Sequence, residues 1–161
     1  MFLETWTQAK GPSMSDEMMM GPVDYLIVEW PADSPPQGAA FPYLVDLVDR
    51  GIIHILDMAF IQKREDGSVL AIDIADFDAD GFLDLAVFEG ASSGLLDEED
   101  QLEAGNAIEP GCAAAILVYE NTWAAPFATA LRKSGAQLVG QGRIPINDII
   151  ATLDELEAAE A

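Results

Sequence analysis

The sequence predicts an α+β domain, in which strands and helices are mixed along one chain of 161 residues. Three observations indicate this class. Short β-branched and aromatic runs are typical of strands, and other segments carry apolar residues at helical spacing. The order strand, helix, strand then occurs twice, over residues 23–62 and 115–144. With 50% hydrophobic residues, the chain can bury one core.

The first repeat follows a leader without periodicity. We expect residues 1–20, which include the cluster Met18-Met19-Met20, to be a disordered N-terminal leader. A single α+β domain is expected over residues 21–158. Its first predicted strand is Val23–Trp30, and the three prolines among residues 31–38 predict a loop.

A helix and a hairpin complete the first half. Pro42 suits the first turn of a helix, and Gly51 is placed to end it. Residues 52–62 predict a long buried strand. The turn Glu65-Asp66-Gly67 then joins this strand to an extra strand at residues 69–74. The apolar face of the helix is expected to comprise Leu44, Val45, Leu47 and Val48.

Two further helices are predicted between the halves. Phe82, Leu85 and Val87 indicate a short one. Residues 95–107 form an acidic amphipathic segment that Pro110-Gly111 closes.

The second repeat matches the first in order. A strand at residues 115–120 precedes a helix whose apolar residues Trp123, Phe127 and Leu131 lie at i, i+4 and i+8. Residues 136–144 are predicted to return as a strand. Two β-α-β units in tandem favour a ferredoxin-like sheet with its helices on one face.

A C-terminal helix is predicted from five apolar residues at helical spacing. This helix could cover the open face of the sheet or pack against a second chain, and we expect the first of these. The residues are Ile146, Ile149, Ile150, Leu153 and Leu156.

The charge of the chain limits its partners. Seven basic residues against 29 acidic ones give a formal net charge of −22. Nucleic acids and anionic membrane surfaces carry the same sign, so neither is an expected partner. Bound cations, a basic protein partner or simply high solubility are all compatible with this charge.

Cysteine usage and hydropathy suggest the compartment. Cys112 is the single cysteine, so an intramolecular disulfide is impossible and nothing indicates an oxidising environment. We interpret it as a buried apolar residue. No uninterrupted apolar stretch reaches the roughly 18 residues of a membrane helix. We therefore expect a cytoplasmic protein.

The run of residues 76–84, D-x-D-x-D-G-x-x-D, is the one motif that implies specific chemistry. Carboxylates at loop positions 1, 3, 5 and 9 with glycine at 6 match the spacing of an EF-hand-type calcium loop. Residues 75–87 also resemble the calcium loop of integrin-type FG-GAP repeats. The expected metal ligands are Asp76, Asp78, Asp80, Asp84 and the carbonyl of Phe82.

The acidic run departs from the EF-hand pattern at one position, and it also has an interpretation without calcium. Position 12 of an EF-hand loop is a bidentate glutamate, whereas this chain has Val87 there. Without a cation the segment is interpreted as a polar connection in which Asp80 caps a helix and the other acids face solvent.

Catalytic residues are not identified. His54, the only histidine, is expected to be half-buried in a strand, and no cysteine pair or second histidine suggests a zinc site. Glu29 and Glu120 occupy matching strand ends, where surface carboxylates are the favoured interpretation and acid–base chemistry the other. Trp30, Trp123 and Phe127 could line a small pocket, although we expect them in the core. No glycine-rich nucleotide-binding motif is present.

Four blocks resemble a bacterial family, domain of unknown function 6325, which itself resembles domain of unknown function 1269. They are Gly21–Tyr25, Leu47–Ile53, Leu56–Ile61 and Tyr119–Ala124. The resemblance implies neither a reaction nor a site residue. Members of the second family often carry a glycine-rich segment that looks membrane-inserting, but residues 81–96 here contain Asp84 and Glu89.

Three functions remain open from the sequence. The favoured one is a non-enzymatic, homo-oligomeric domain of regulatory or stress-related use. The second is a module stabilised by calcium. The third is a small-molecule sensor or enzyme with a pocket between sheet and helices, which requires His54, Glu29 or Glu120 to line one cavity.

Overall fold

The computed structural model describes residues 19–34, 39–72 and 91–161. Within these ranges four strands are present: β1 (Val23–Trp30), β2 (His54–Lys63), β3 (Val69–Ile72) and β4 (Ala113–Glu120). The helices are α1 (Phe41–Asp49), α2 (Glu98–Asn106), α3 (Ala125–Lys133) and α4 (Ile146–Glu160), and a 3₁₀ turn (Thr122–Ala124) precedes α3. The α+β class is thereby confirmed, as are the hairpin strand and the C-terminal helix.

The strands form one antiparallel sheet in the order β1-β4-β2-β3. β4 pairs with β1 from Val23↔Glu120 to Trp30↔Ala113, and on its other side with β2. Because β1 and β2 both run antiparallel to β4, they are parallel to each other, and β4 lies between them. The last strand in sequence is thus central in the sheet.

A helix covers each face of this sheet. Phe41, Leu44 and Val45 of α1 pack against the cluster of Met58, Phe60 and Ala115. On the opposite face, Ala104 of α2 belongs to a buried cluster with four strand residues. Those four are Ile61, Ala114, Ile116 and Val118. Burial of each large apolar side chain stabilises the fold by roughly 1.5–3 kcal/mol.

Local sequence explains where the helices begin and end. Pro42 lies in the first turn of α1, as predicted. Gly51 follows that helix with φ of 66°, in the left-handed region that favours glycine. α2 begins at Glu98 because the Asp97 carboxylate accepts the Asp100 N–H and the Asp100 carboxylate accepts the Asp97 N–H, a reciprocal capping box.

The ferredoxin-like detail is not confirmed. Residues 136–144, predicted as a strand, are not a strand in the structure. Helices were predicted on one face, whereas α1 and α2 lie on opposite faces. The physical reason is that Ala104 of α2 packs into the cluster on the face that α1 does not cover. Cys112 is buried, as predicted.

None of the helices within the described ranges has the length and apolar character that crossing a bilayer requires.

Candidate functional site

The predicted calcium ligands Asp76, Asp78, Asp80, Phe82 and Asp84 lie in residues 73–90, outside the described residues. The predicted short helix near Phe82, Leu85 and Val87 lies there too. Elsewhere, in residues 19–34, 39–72 and 91–161, no three His, Cys, Asp or Glu side chains are grouped so that they could hold a metal ion. Calcium binding therefore stays a prediction from the sequence.

The structure does not bring the three candidate acid–base residues together. His54 and Glu120 are direct cross-strand neighbours on β2 and β4. Glu29 pairs with Ala114, six residues from Glu120 along β4, which corresponds to roughly 20 Å. Its carboxylate instead accepts the Glu109 N–H at 2.7 Å. One cavity cannot include all three, and His54 is exposed where we predicted half-burial.

A groove between β3 and α2 has a volume of about 310 Å³. Its lining comprises Val69, Ala71, Glu98, Gln101 and Leu102. None of the three candidate acid–base residues contributes to it. The groove has a size at the lower end of the range for ligand pockets, roughly 300 Å³.

Asp57 is a buried carboxylate that the sequence analysis did not single out. It is 1% exposed and accepts N–H groups from Ser93 at 3.0 Å, Leu96 at 2.7 Å and Met58 at 2.8 Å. A bulge at Leu56 lies immediately before it in β2. These bonds hold the segment before α2 against the sheet. The signal in the sequence was an acid inside an otherwise apolar strand.

A second polar cluster joins the end of β4 to the segments that precede β1 and β2. The Asn121 Nδ2 donates to the Asp24 carboxylate at 2.9 Å and to the Pro22 carbonyl at 3.2 Å. The Trp123 Nε1 donates to Asn121 Oδ1 at 3.2 Å, and the Trp123 N–H donates to the Ile52 carbonyl at 3.1 Å. The cluster therefore fixes the turn after β4 to the segments that precede β1 and β2.

Tyr119 lies beside this cluster, in register with Asp24, and its hydroxyl accepts a hydrogen bond from the Arg143 guanidinium. Burial raises the pKa of Tyr119 above its usual 10.0; Arg143 lowers this pKa, and Asp24 raises it. The hydroxyl therefore stays protonated at neutral pH and serves as a neutral hydrogen-bonding group.

The apolar residues of α3 face solvent. Trp123 is 67% exposed, Phe127 69% and Leu131 42%. We predicted Trp123 and Phe127 as core residues, and for these two residues the prediction is wrong. The helical spacing was interpreted correctly, but the face it defines has no cover from the described part of the chain.

Residues 136–161, here called the C-terminal arm, are exposed throughout. The apolar residues of α4 are 45–75% exposed, and Leu138 and Val139 ahead of it are 74% and 96% exposed. We expected α4 to cover its own sheet. Instead α4 is exposed along its whole length and belongs to neither buried cluster, so the described part of the chain leaves its apolar stripe uncovered.

The β1 edge is the second open feature. Among the described strands, β1 pairs with β4 alone. Val28 on this edge strand is 44% exposed, and Val23 is 37% exposed. An unpaired strand edge presents backbone donors and acceptors that can pair with another strand.

A comparison with protein families matches the chain to a family of unknown function, DUF6325, over residues 19–160. No curated protein and no solved structure shows a significant match. The matched range includes every strand and helix of the described fold and extends through the C-terminal arm. The chain belongs to the family of unknown function DUF6325.

Proposed function

We propose that this protein is a non-enzymatic cytoplasmic domain that assembles into homo-oligomers, with a regulatory or stress-related use. The observation that carries the proposal is the exposed apolar stripe of α4. Five large aliphatic residues on this 15-residue helix are 45–75% exposed and belong to neither buried cluster of the described fold.

The physical argument concerns the stability of α4 itself. An isolated helix of fewer than about 12–15 residues is marginal in water, and most helical stability in proteins comes from packing an apolar face. The α4 sequence has such a face: Ile146, Ile149, Ile150 and Leu153 follow the i, i+3, i+4, i+7 spacing. Contiguous exposed apolar surface of this kind marks an interaction site.

The remaining surface of α4 supports a protein partner. Opposite the stripe are Asp148, Ala151, Glu155 and Ala158, so the helix is amphipathic with an acidic outer face. An acidic face would be repelled by an anionic membrane, which leaves another protein as the partner. A second copy offers the same stripe, and isologous contacts between identical patches are the common route to dimers.

The test is the molar mass of the purified full-length chain, measured by light scattering after size exclusion. We expect an oligomer for the native protein and a monomer for the double variant I150D/L153D, because two carboxylates would have to be buried in the interface. The control A151D/A158D adds the same two charges on the opposite face of α4 and should leave the oligomer intact. A native chain that is monomeric at all concentrations would contradict the proposal.

The groove beside α2 supports a second candidate, a small-molecule sensor. Its volume of about 310 Å³ can hold a small ligand, and Glu98 and Gln101 supply polar groups at its wall. A metabolite panel screened by thermal shift would test this candidate against the variant L102W, in which a larger side chain fills the groove. Stabilisation of the native protein that the variant loses would support it, and a panel without effect would exclude it.

A further inference from the structure

We propose that an extended basic segment of a partner protein binds this domain by adding as a strand to the open edge of β3, with its basic side chains in the groove beside α2. β3 is an outer strand of the sheet and, among the described strands, pairs with β2 alone. Self-association through α4 is not required for this binding, so the two proposals are tested separately.

The backbone of β2 shows which groups of β3 face its open edge. The Lys63 N–H donates to the Cys112 carbonyl at 2.9 Å, and the Lys63 carbonyl accepts the Gly111 N–H at 2.8 Å. Both groups therefore point away from β3, and Lys63 and its cross-strand neighbour Val69 form no hydrogen bonds with each other. The N–H and C=O groups of Val69, and by alternation those of Ala71, consequently point to the outer edge of β3.

The strand edge and the groove adjoin, because the same two residues contribute to both. Val69 and Ala71 lie two positions apart, so their side chains share one face of β3 and line the groove. Glu98, Gln101 and Leu102 of α2, at i, i+3 and i+4, line its other wall. One extended segment can therefore pair with the edge and place side chains in the groove.

Gly105 determines where α2 meets β3. A Cβ added to Gly105 would lie 2.3 Å from the Val69 Cγ2, so helix and strand are in close contact there. Gly105 is near the C-terminal end of α2, whereas Glu98 is the first residue of this helix. The groove therefore extends toward the N-terminal end of α2, where the acidic residues of its first turn lie.

Charge favours a basic occupant for the groove. Residues 97–109 include no basic residue, and among the described residues Glu98 makes no ion pair. The six acidic residues of this stretch are Asp97, Glu98, Glu99, Asp100, Glu103 and Glu109. A lysine can lay its aliphatic stem along Leu102 and Val69 while its ammonium group meets the Glu98 carboxylate.

The chain itself does not supply a basic segment beside β3. Residues 73–90, which follow this strand, contain six acidic residues and no basic one. Arg132 and Arg143 bond to the Met20 carbonyl and the Tyr119 hydroxyl, which lie on neither β2 nor β3. A partner protein is therefore the occupant that the charge of the groove fits.

The two faces of β3 predict the sequence pattern of the bound segment. Side chains of an added strand alternate between the two faces of the sheet. Those opposite the groove would lie beside Leu70, which is 37% exposed, and Ile72, which packs against the cluster under α1. Basic residues facing the groove should therefore alternate with apolar residues, while main-chain hydrogen bonds to the edge supply affinity.

The test is calorimetry of the full-length chain with synthetic peptides of about eight residues, long enough to cover β3. In the lysine–valine peptide these two residues alternate, and in its control glutamate replaces every lysine. We expect the lysine–valine peptide to bind and the glutamate control not to bind. A lysine–valine peptide that does not bind at millimolar concentration would overturn the proposal.

Backbone methylation of the peptide shows whether it binds as a strand. The N–H groups of an added strand point alternately toward β3 and away from it. One peptide methylated on every lysine nitrogen of the backbone and one methylated on every valine nitrogen should therefore differ. One of them should bind about tenfold more weakly or worse, and the other should keep its affinity. Equal affinities of the two methylated peptides would rule out strand addition, as would equally tight binding of a single N-acetyl-lysine amide.

Two charge variants locate the bound peptide on the surface. E98K reverses the charge at the groove wall and should weaken binding of the lysine–valine peptide by about fivefold or more, because an attraction becomes a repulsion. E99K changes the net charge equally at a residue that does not line the groove, and it should bind nearly as tightly as the native chain. Circular dichroism should show that both variants are folded. Equal weakening by E98K and E99K would mean that overall negative charge attracts the peptide, and the groove would be excluded as its site.

Discussion

The Asp57 carboxylate ties the segment before α2 to the sheet. Replacing it with alanine would leave three backbone N–H groups without their acceptor, two of them on the segment before α2. We expect D57A to lose roughly 3 kcal/mol of unfolding free energy, since each unsatisfied buried donor costs about 1–3 kcal/mol. Urea unfolding measures this loss. The control is D66A, which removes an exposed turn carboxylate; an equal loss in both variants would contradict the assignment.

Gly21 is required by the close approach of two backbones. A Cβ added there would lie 2.1 Å from the Asn121 carbonyl oxygen, which is a backbone atom and cannot move aside freely. We expect G21A to lower the melting temperature markedly. G140A is the matched control, because beyond its chain neighbours no atom of the described residues lies within 4 Å of the position that its Cβ would occupy. Equal melting temperatures for G21A and G140A would show that the backbone of the turn after β4 can shift at little cost to accept the added Cβ.

The acidic loop supplies a prediction from sequence alone. If Asp76, Asp78, Asp80 and Asp84 bind calcium in the folded state only, millimolar calcium should raise the melting temperature of the native chain by mass action. D78A should lose this response, whereas D66A, outside the loop, should keep it. A native chain that shows no shift with calcium would remove the hypothesis.

At the residue scale, sequence reasoning identified residue types better than partners. Cys112 was predicted to be buried because it precedes an apolar run, and it is. Asp24 and Asn121 were not singled out, because their contact depends on strand register, which brings together two residues 97 positions apart. The residue pattern within one segment does not indicate which distant residues become its neighbours.

At the scale of elements, α2 has a pH dependence built into its first turn. Asp100 is 3% exposed, and burial raises its pKa above the usual 3.8. The folded state therefore binds this proton more tightly than the unfolded state does. The contribution of Asp100 to stability is present while it is protonated and is lost as pH rises through the interval above 3.8.

The variant D100N removes this titration. Relative to the native protein, its unfolding free energy should increase as pH is raised from below to above 3.8, because only the native protein must then ionise a buried carboxyl. Urea titrations across the acid range measure the difference. If the unfolding free energies of the two proteins change with pH in parallel, the hydrogen bond from the Asp97 N–H fully offsets the effect of burial on the pKa of Asp100.

The elements differ in how far the sequence could predict them. Val23–Trp30 has the predicted bounds, since β-branched and aromatic residues alternate along it and β4 supplies its partner. Residues 136–144 have comparable strand character, yet they are not a strand here. A strand needs a neighbouring strand to accept and donate its backbone hydrogen bonds. The β-propensity of a segment alone therefore does not determine whether it becomes a strand. The same reason explains α4, whose periodicity predicted a helix but not what would cover it.

At the scale of the whole molecule, charge opposes the assembly that we propose. Two copies with a net charge of −22 each repel one another, and salt screens this repulsion with a Debye length of about 10 Å at 0.1 M. We expect the oligomeric fraction to rise from about 0.01 M to about 1 M ionic strength. Sedimentation velocity measures it. A steady fall with salt would indicate that the contact between copies is mainly ionic rather than apolar.

The position of β4 has a consequence for how the protein is made. β1 and β2 emerge from the ribosome first, but the strand that joins them ends only at Glu120. Neither can acquire its inner neighbour until β4 has been synthesised, and pairings so distant in sequence form slowly. Until then, among the described strands, β1 has no partner and β2 pairs only with β3, and the abundant negative charge of the nascent chain is well suited to keep such chains apart.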